Sequence, residues 1–313
     1  MVVSSEIEVV MPTYNGSLYI VNQIKSIYNQ TIRPKRLIVR DDHSTDGTKE
    51  LLFHLKSVYK SWLHIIPSSR NIGCTSSINI LLTFTTAPYI ALSDQDDIWL
   101  ENKLELSFTE MNHLESCYGK TRPILIHSDL RLVDAHLNDL NITYTSKQLL
   151  DPKKISPSLI SLTNVVTGCT ILINRSLLTR TLPIPPEAVV HDWWIALVAS
   201  YFGHISFLCV APVLYRQHGS NQIGAKGLGL KYWLDRLLDW INNPKTGGHS
   251  LDVIRQIKCF EHRYNVAISI LPHLLNANKL QRMKLLFTSS MSSWPRKHGF
   301  LRTIAFYFWL LRF

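Results

Sequence analysis

Short apolar runs alternate with amphipathic stretches along the first hundred residues of this chain. The apolar runs are rich in aliphatic and β-branched residues and have the length of strands. They predict strands at residues 7–11, 36–40, 63–66 and 89–92. Apolar positions at helical spacing predict helices at 18–29, from 41–48 through 55, and at 76–84. This alternation predicts an α/β fold with a mostly parallel central sheet flanked by helices on both faces.

A polar segment follows each predicted strand, at the end where the chain leaves it. These segments are Thr13-Tyr14-Asn15, Asp41-Asp42, residues 70–73 and residues 94–97. In open parallel sheets, ligands bind at the carboxyl ends of the strands. Four polar segments at the same edge therefore predict one shared binding site.

The fourth of these segments carries three carboxylates in four residues, Asp94, Asp96 and Asp97. Carboxylates crowded in this way repel one another unless a cation or a set of hydrogen-bond donors neutralises them. Their oxygens suit Mg²⁺ or Mn²⁺, and such a metal commonly shares its coordination shell with substrate phosphates. The alternative is that these residues cap the next helix, because residues 99–104 also have a helical pattern.

Three further segments carry candidate chemistry. Gly168 precedes a predicted strand at 171–173, and a glycine there lets the backbone approach a ligand closely. The sequence His-Asp-Trp-Trp at 191–194 opens a predicted helix that runs to residue 201. Arg216 and His218 are two residues apart on an extended segment, so they share one face.

Composition narrows the class of protein. At 313 residues the chain can bury a full α/β domain with an appendage. Its five cysteines are odd in number and lack C-x-x-C spacing, which argues against a disulfide framework or a zinc site and fits a reducing compartment. No signal-peptide pattern precedes the first predicted strand, and no run approaches the roughly 18 apolar residues of a membrane span.

The net charge of +10 is unevenly distributed. Residues 1–225 hold 19 Lys/Arg and 19 Asp/Glu, so the whole excess falls on residues 226–313. Glycines cluster at the same place, near residue 224, and predict a boundary there. We therefore expect a catalytic domain over 1–224 and a helical C-terminal extension over 225–313.

The extension has the composition of a membrane-associating segment. It combines an amphipathic pattern at 230–241 with a basic, aromatic end at 300–313. Such segments lie on anionic membrane surfaces. The alternative is a helical subdomain that packs on the catalytic domain. Nucleic-acid binding is disfavoured, because the aromatic residues stand among leucines rather than among polar residues.

Four motifs in series resemble the family 2 glycosyltransferases of the Rossmann-like GT-A fold. They are Met-Pro-Thr-Tyr-Asn-Gly, Asp-Asp-His-Ser-Thr-Asp-Gly-Thr, Arg-Asn-Ile-Gly and Asp-Gln-Asp-Asp, and the resemblance covers about residues 5–220. It implies inverting transfer of a sugar from a nucleotide-diphosphate sugar, with Mn²⁺ or Mg²⁺ as cofactor. Neither a dinucleotide-binding G-x-G-x-x-G nor a P-loop motif is present.

The resemblance also implies a role for each candidate residue. Asp96 would be the principal metal ligand, and Asp192 would be the catalytic base. The alternative for Asp192 is a plain helix N-cap. The other metal candidates are Asp94, Asp97 and His218. The nucleotide-sugar site would comprise Pro12, Thr13, Tyr14, Asn15, Asp41, Asp42, Arg70, Asp94 and Arg216. The acceptor side would comprise Gly168, His191, Trp193 and Trp194, with His191 standing where relatives more often have an acid. For Asp46 we expect helix capping.

The motifs at 93–99, 191–194 and 215–221 resemble a bacterial subgroup rich in rhamnosyltransferases of surface-polysaccharide assembly. This implies dTDP-rhamnose as donor and a lipid-linked O-antigen or capsule oligosaccharide as acceptor, at the cytoplasmic face of the inner membrane. Transfer of galactose, glucose or an N-acetylhexosamine from UDP is an alternative. A catalytically silent nucleotide-sugar-binding scaffold is another.

Overall fold

The computed structural model describes residues 2–219 and 248–268. Its strands are β1 Val2–Thr13, β2 Ile32–Asp41, β3 Leu63–Ile66, β4 Tyr89–Leu92, β5 Ile98–Trp99, β6 Ile124–Ser128, β7 Arg131–Val133, β8 Asp139–Thr143, β9 Leu172–Asn174, β10 His204–Leu208 and β11 Val213–Arg216. Its α-helices are α1 Ile20–Tyr28, α2 Thr48–Tyr59, α3 Cys74–Thr83, α4 Lys103–Tyr118, α5 Tyr144–Gln148, α6 Pro157–Ile160, α7 Arg175–Thr181, α8 His191–Phe202 and α9 Gly248–Tyr264. All the elements expected in the first hundred residues are present; β1 and β2 are longer than their apolar runs, and β3 and β4 have the expected bounds.

The central sheet has the strand order β10-β6-β9-β4-β1-β2-β3. Strand β1 pairs in parallel with β2 and β4, and β2 in parallel with β3. Strand β9 is antiparallel to both of its neighbours, β4 and β6. The expectation of a mostly parallel α/β sheet is therefore confirmed, with β9 as the reversed strand.

Side chains that alternate along the central strands build two separate cores. On β1, Val9 and Met11 face one core and Val10 faces the other, and all three are fully buried. Successive side chains of a strand point to opposite faces of the sheet, so this division means that both faces are covered. Helix α1 covers one face with Ile20, Ile24 and Ile27, also fully buried. Each such side chain contributes about 1.5–3 kcal/mol of hydrophobic stabilisation.

A second, smaller sheet fixes the acidic segment after β4. Its order is β5-β11-β7-β8, and β5 pairs antiparallel with β11. Residues 94–97 thus form the connection between two strands of different sheets. Helix α4 begins only at Lys103 and has Asn102 at its N-cap. The helix-capping alternative for the acidic segment is therefore wrong, and the helical pattern at 99–104 misplaced the start of α4, because pairing with β11 holds Ile98–Trp99 as a strand.

The described part of the C-terminal extension packs on the catalytic domain. Helix α9 buries Ile257 and Phe260 completely, and the Phe260 ring lies edge-on to the Trp194 ring at 5.6 Å between centroids. The Arg263 guanidinium donates a hydrogen bond to the Leu182 carbonyl at 2.6 Å. The segments 230–241 and 300–313, on which the membrane prediction rests, lie outside the described residues. Among the described residues, no helix combines the length and apolar content that crossing a membrane requires.

Candidate functional site

The first and fourth polar segments are joined by the side chain of Gln95. Thr13 Oγ1 and the Tyr14 N–H both donate to Gln95 Oε1, at 2.5 and 2.9 Å, and Gln95 Nε2 donates back to the Tyr14 carbonyl at 2.9 Å. Residue 16 is a glycine because a Cβ there would lie 2.2 Å from Gln95 Oε1. The sequence analysis did not select Gln95, because Gln95 is uncharged whereas its neighbours Asp94 and Asp96 are acidic. Its amide holds the predicted nucleotide loop against the predicted metal loop.

The second and third segments are joined by Asp42. Its carboxylate accepts hydrogen bonds from the Arg40 guanidinium at 2.5 Å and from the Ile72 and Gly73 N–H groups at 2.9 and 2.7 Å. Burial alone would raise the pKa of Asp42, but these donors outweigh it and hold that pKa below its usual range. Arg70, in the loop that Asp42 anchors, is exposed. In this structure the Asp42 carboxylate fixes the loop at residues 70–73, and its predicted contact with the nucleotide stays a prediction.

Asp41, Asn15 and Asp46 order the loop between β2 and α2. Asp41 accepts from the Ser44 N–H at 3.0 Å, and Asn15 Oδ1 accepts from the Thr45 N–H at 2.9 Å. Asp46 accepts from the Ser17 and Thr48 N–H groups at 3.0 and 3.1 Å. Hydrogen bonds outweigh the effect of burial and lower the pKa of Asp46 to about 2. The N-cap of α2 is Gly47, so the expectation that Asp46 caps this helix is wrong by one position, and Asp46 supports the start of α2 from the residue before the N-cap.

Asp96 contacts both Arg216 and His218, the two candidate residues at the end of β11. His218 Nε2 lies 2.9 Å from Asp96 Oδ2, and Arg216 Nε donates to the Asp96 carbonyl at 3.0 Å. The Tyr19 ring packs against both, 4.8 Å from the His218 ring centroid and 4.8 Å from the Arg216 guanidinium carbon. Asp96 and His218, which were predicted as metal ligands from separate motifs, are thus in contact although 122 residues separate them in the chain.

Asp94 and Asp97 gather instead around a residue that sequence reasoning did not select, Cys169. One ligand atom from each of the three residues lies within 4.8 Å of the other two. Burial, Asp96 and Asp192 raise the pKa of Asp94 to about 7, and burial together with Asp96 and Asp94 raises the pKa of Asp97. The oxygens of Asp97 are buried and have no hydrogen-bond partner among the described residues.

This environment fits a divalent cation. A fully buried carboxylate without a donor, next to two further carboxylates, is costly unless positive charge arrives. Oxygen ligands of this kind suit Mn²⁺ or Mg²⁺. The predicted ligand set falls into two adjoining groups, the Asp96–His218 pair and the Asp94–Asp97 pair beside Cys169.

Asp192 lies in the first turn of α8 and is held by two donors. The Gly168 N–H donates to its Oδ2 at 2.9 Å, and Asn164 Nδ2 donates to its Oδ1 at 3.0 Å. The N-cap of α8 is Val190, so the helix-cap alternative for Asp192 is wrong. Burial raises the pKa of Asp192 above its usual value, and His191 and the hydrogen bonds oppose that rise. The residue after Gly168 is Cys169, whose thiol lies within 4.8 Å of a carboxylate oxygen of Asp94, so Asp192 lies close to the acidic segment.

The other predicted acceptor-side residues surround Asp192 in different ways. A Cβ at Gly168 would lie 2.9 Å from His191 Nε2 and 3.5 Å from Asp192 Oδ2, so the glycine leaves room for both side chains. Trp193 Nε1 donates to the Ile160 carbonyl at 2.5 Å, and Trp194 Nε1 to the Thr181 carbonyl at 3.3 Å. Both indoles belong to the core, so the structure does not support the expectation that Trp193 and Trp194 contact an acceptor directly, and instead they fix the first turn of α8, which carries Asp192.

Two known bacterial proteins resemble this chain over most of its length. The Escherichia coli UDP-Glc:alpha-D-GlcNAc-diphosphoundecaprenol beta-1,3-glucosyltransferase WfgD is 28% identical over 244 residues, which are 76% of this chain and 87% of that protein. The Shigella flexneri dTDP-rhamnosyl transferase RfbG is 27% identical over 226 residues, which are 69% of this chain and 74% of that protein.

Solved structures share the fold. S. aureus TarS 1-349 in complex with UDP-GlcNAc superposes with a TM-score of 0.52 at 16% identity, over 84% of this chain and 73% of that chain. The Pyrobaculum calidifontis mannosyltransferase PcManGT, in complex with GDP-Man and Mn²⁺, has a TM-score of 0.50 at 18% identity, over 69% of this chain and 58% of that chain. Against a further crystal structure of S. aureus TarS 1-349 the match spans 60% of the TarS chain. These likenesses establish the GT-A fold.

The family model described as Glycosyl transferase family 2 matches residues 8–179, more than half of the chain. The matched region contains the four strand-end segments and Gly168, and it ends before Asp192. The protein is thus a glycosyltransferase and belongs to family 2.

Proposed function

We propose that this enzyme transfers a sugar, by an inverting and metal-dependent reaction, onto a lipid-linked oligosaccharide of a bacterial surface polysaccharide. One observation carries the proposal: the neighbours Gly168 and Cys169 join the predicted base to the acidic segment, because the Gly168 N–H donates to Asp192 Oδ2 at 2.9 Å and the Cys169 thiol lies within 4.8 Å of a carboxylate oxygen of Asp94. Leaving-group stabilisation and proton removal would therefore occur side by side. The names of the relatives WfgD and RfbG, a glucosyltransferase and a rhamnosyl transferase, support the reaction class.

Asp192 is the base in this reaction. It takes the proton from the acceptor hydroxyl while that oxygen attacks the anomeric carbon from the face opposite the diphosphate. The Gly168 N–H and the Asn164 amide orient its carboxylate. Because burial raises its pKa, Asp192 binds the incoming proton more readily than an exposed aspartate does.

Asp96 is the principal ligand of Mn²⁺ or Mg²⁺, with His218 and either Asp94 or Asp97 in support. The bound metal supplies Lewis-acid stabilisation of charge on the leaving diphosphate. Arg216 adds a fixed positive charge next to Asp96, since its guanidinium is tied to the Asp96 carbonyl. Tyr14 and Arg70 have exposed side chains in the first and third strand-end segments, and both would contact the nucleotide.

For the donor we choose dTDP-rhamnose. The choice rests on the resemblance of the motifs at 93–99, 191–194 and 215–221 to rhamnosyltransferases, with RfbG as a named relative. WfgD has almost the same identity and a UDP-glucose donor in its name, so glucose is the competing assignment.

A panel of donors tests this assignment. Hydrolysis of dTDP-rhamnose, UDP-glucose, UDP-galactose and UDP-N-acetylglucosamine is measured with Mn²⁺ and with Mg²⁺, and dTDP-rhamnose should be hydrolysed fastest. Faster hydrolysis of a UDP-sugar would overturn the sugar while leaving the reaction class intact. Binding of nucleotide without hydrolysis of any donor would indicate the silent scaffold.

We also propose that the protein is peripheral on the cytoplasmic face of the inner membrane, where its acceptor is displayed. The support is the net charge, all of which falls on residues 226–313. Truncation near residue 224 is an unsuitable test, because α9 then no longer fills the core around Trp194. Co-sedimentation of the full chain is suitable: anionic vesicles should bind it, with release by salt, and neutral vesicles should bind less. Failure to bind anionic vesicles would end this part of the proposal.

A further inference from the structure

Tyr19 connects the loop after β1 to the end of β11. It is the N-cap residue of α1 and is half-buried, and its N–H donates to the Gly16 carbonyl at 3.0 Å. Its ring lies 4.8 Å from the His218 ring, measured between centroids, with 30° between the two planes. The Arg216 guanidinium carbon lies 4.8 Å from the centroid of the same Tyr19 ring. Both distances fall within the range of attractive aromatic and cation–π contacts.

The two residues that Tyr19 contacts also contact Asp96. His218 Nε2 lies 2.9 Å from Asp96 Oδ2, and Arg216 Nε donates to the Asp96 carbonyl at 3.0 Å. His218 comes two residues after the end of β11, so strand pairing does not fix the direction of its side chain. Its imidazole is 9% exposed and contacts both the Asp96 carboxylate and the Tyr19 ring. The Tyr19 ring therefore limits the orientations that the His218 side chain can adopt.

A side chain that contacts a metal ligand without touching the metal orients that ligand, and replacing it lowers metal affinity about 10- to 100-fold. Tyr19 stands in this relation to His218, the proposed ligand beside Asp96. We infer that Tyr19 is a positioning residue, whose ring face holds His218 in the orientation that a divalent cation requires and holds Arg216 beside the leaving diphosphate. The inference rests on the proposed metal-dependent reaction and does not depend on the donor sugar.

Binding of Mn²⁺ alone to the full chain provides the test, because the EPR signal of free Mn²⁺ reports binding without enzymatic turnover. Tyr19→Leu keeps an apolar side chain but removes the ring face, and it should raise the Kd for Mn²⁺ about 10- to 100-fold. Tyr19→Phe keeps the ring face, so it should bind Mn²⁺ as tightly as the unmodified protein. Tyr28→Leu is the matched control, since Tyr28 ends the same helix and packs against Tyr59 and Trp62. It should leave the Kd for Mn²⁺ unchanged.

Urea unfolding of the same variants separates positioning from a general effect on the fold. Tyr19→Leu should lose no more stability than Tyr28→Leu, although it alone loses Mn²⁺ affinity. An unchanged Kd in Tyr19→Leu would overturn the inference, and so would an equal loss of Mn²⁺ affinity in Tyr19→Leu and Tyr28→Leu. A loss in Tyr19→Phe as large as that in Tyr19→Leu would assign the effect to the hydroxyl group and overturn the role of the ring. Failure of the unmodified chain to bind Mn²⁺ would instead refute the proposed metal site, and the inference with it.

Discussion

Replacing Asp192 with Asn tests whether this side chain acts as the base or only stabilises the fold. The substitution keeps the shape of the side chain but turns one oxygen into an NH₂ group. That group must face either the Gly168 N–H or Asn164 Nδ2, both of which are donors. Asn164 cannot turn its amide without a cost, because its Oδ1 accepts from the Val166 N–H at 3.0 Å. One hydrogen bond is lost and one donor is left unsatisfied, which costs about 1–3 kcal/mol of stability.

The expected loss of transfer is larger than the loss of stability. A positioned base contributes about 10²- to 10⁴-fold to rate, so Asp192→Asn should lower kcat by that factor. Donor affinity should change only a few-fold, because the base contacts the acceptor hydroxyl. Steady-state transfer assays and nucleotide-sugar titration of the same preparation measure the two quantities. Transfer within tenfold of the unmodified enzyme, or lost donor binding with turnover retained at saturation, would refute the assignment.

The dependence of transfer on pH gives an independent check of Asp192. As a base it must be ionised, and burial raises its pKa above the ordinary aspartate value near 3.9. Transfer should therefore fall as the pH falls through this raised pKa. Asn164→Ala removes a donor to the charged form, which raises the pKa further and should move the acidic limb of the profile to higher pH. A limb that stays in place in Asn164→Ala would mean that another group controls it.

Four further substitutions test the remaining architecture. Asp96→Asn should lower transfer at least about a hundredfold with folding preserved, and activity undiminished in EDTA would remove the metal from the mechanism. Asp42→Ala should weaken nucleotide binding and also cost about 3–5 kcal/mol in urea unfolding, since it strands the buried Arg40 guanidinium; unchanged stability would contradict the anchoring role. Gly16→Ala should weaken donor binding, with partial rescue by Gln95→Ala in a double-mutant cycle. Phe260→Ala should lower stability by about 3–5 kcal/mol, and a loss under 1 kcal/mol would mean that α9 is not part of the core.

The strand-end segments were predictable because periodicity and the rule for parallel sheets act locally. Asp41, Asp42 and Asp96 all lie at the expected edge, since each follows a short apolar run that can only be a buried strand. The reversed direction of β9 was not predictable, because its three residues have no feature that distinguishes parallel from antiparallel pairing.

The internal connections of the site were also beyond local patterns. Cys169 and Gln95 act through contacts with segments about 70 to 80 residues away, and neither has a charge or spacing that marks it in sequence. The cysteine count considered only pairs of cysteines, so it carried no information on a single thiol that lies beside two carboxylates in space. Asp96 is set apart from Asp94 and Asp97 because it pairs with His218. The position of His218 follows from the pairing of β11 with β5 in the second sheet.

The bond between Gln95 and the loop after β1 restricts how this enzyme can acquire a new donor during evolution. A side chain at position 16 displaces the Gln95 amide, and Gln95 loses two hydrogen bonds if the backbone at Tyr14 moves. Single substitutions at these positions therefore pass through an impaired intermediate, and natural selection removes such intermediates. Tyr14 and Arg70 have exposed side chains in two of the strand-end segments. Lineages that change their nucleotide or sugar should thus vary first at these two positions, while residues 16 and 95 change only as a pair.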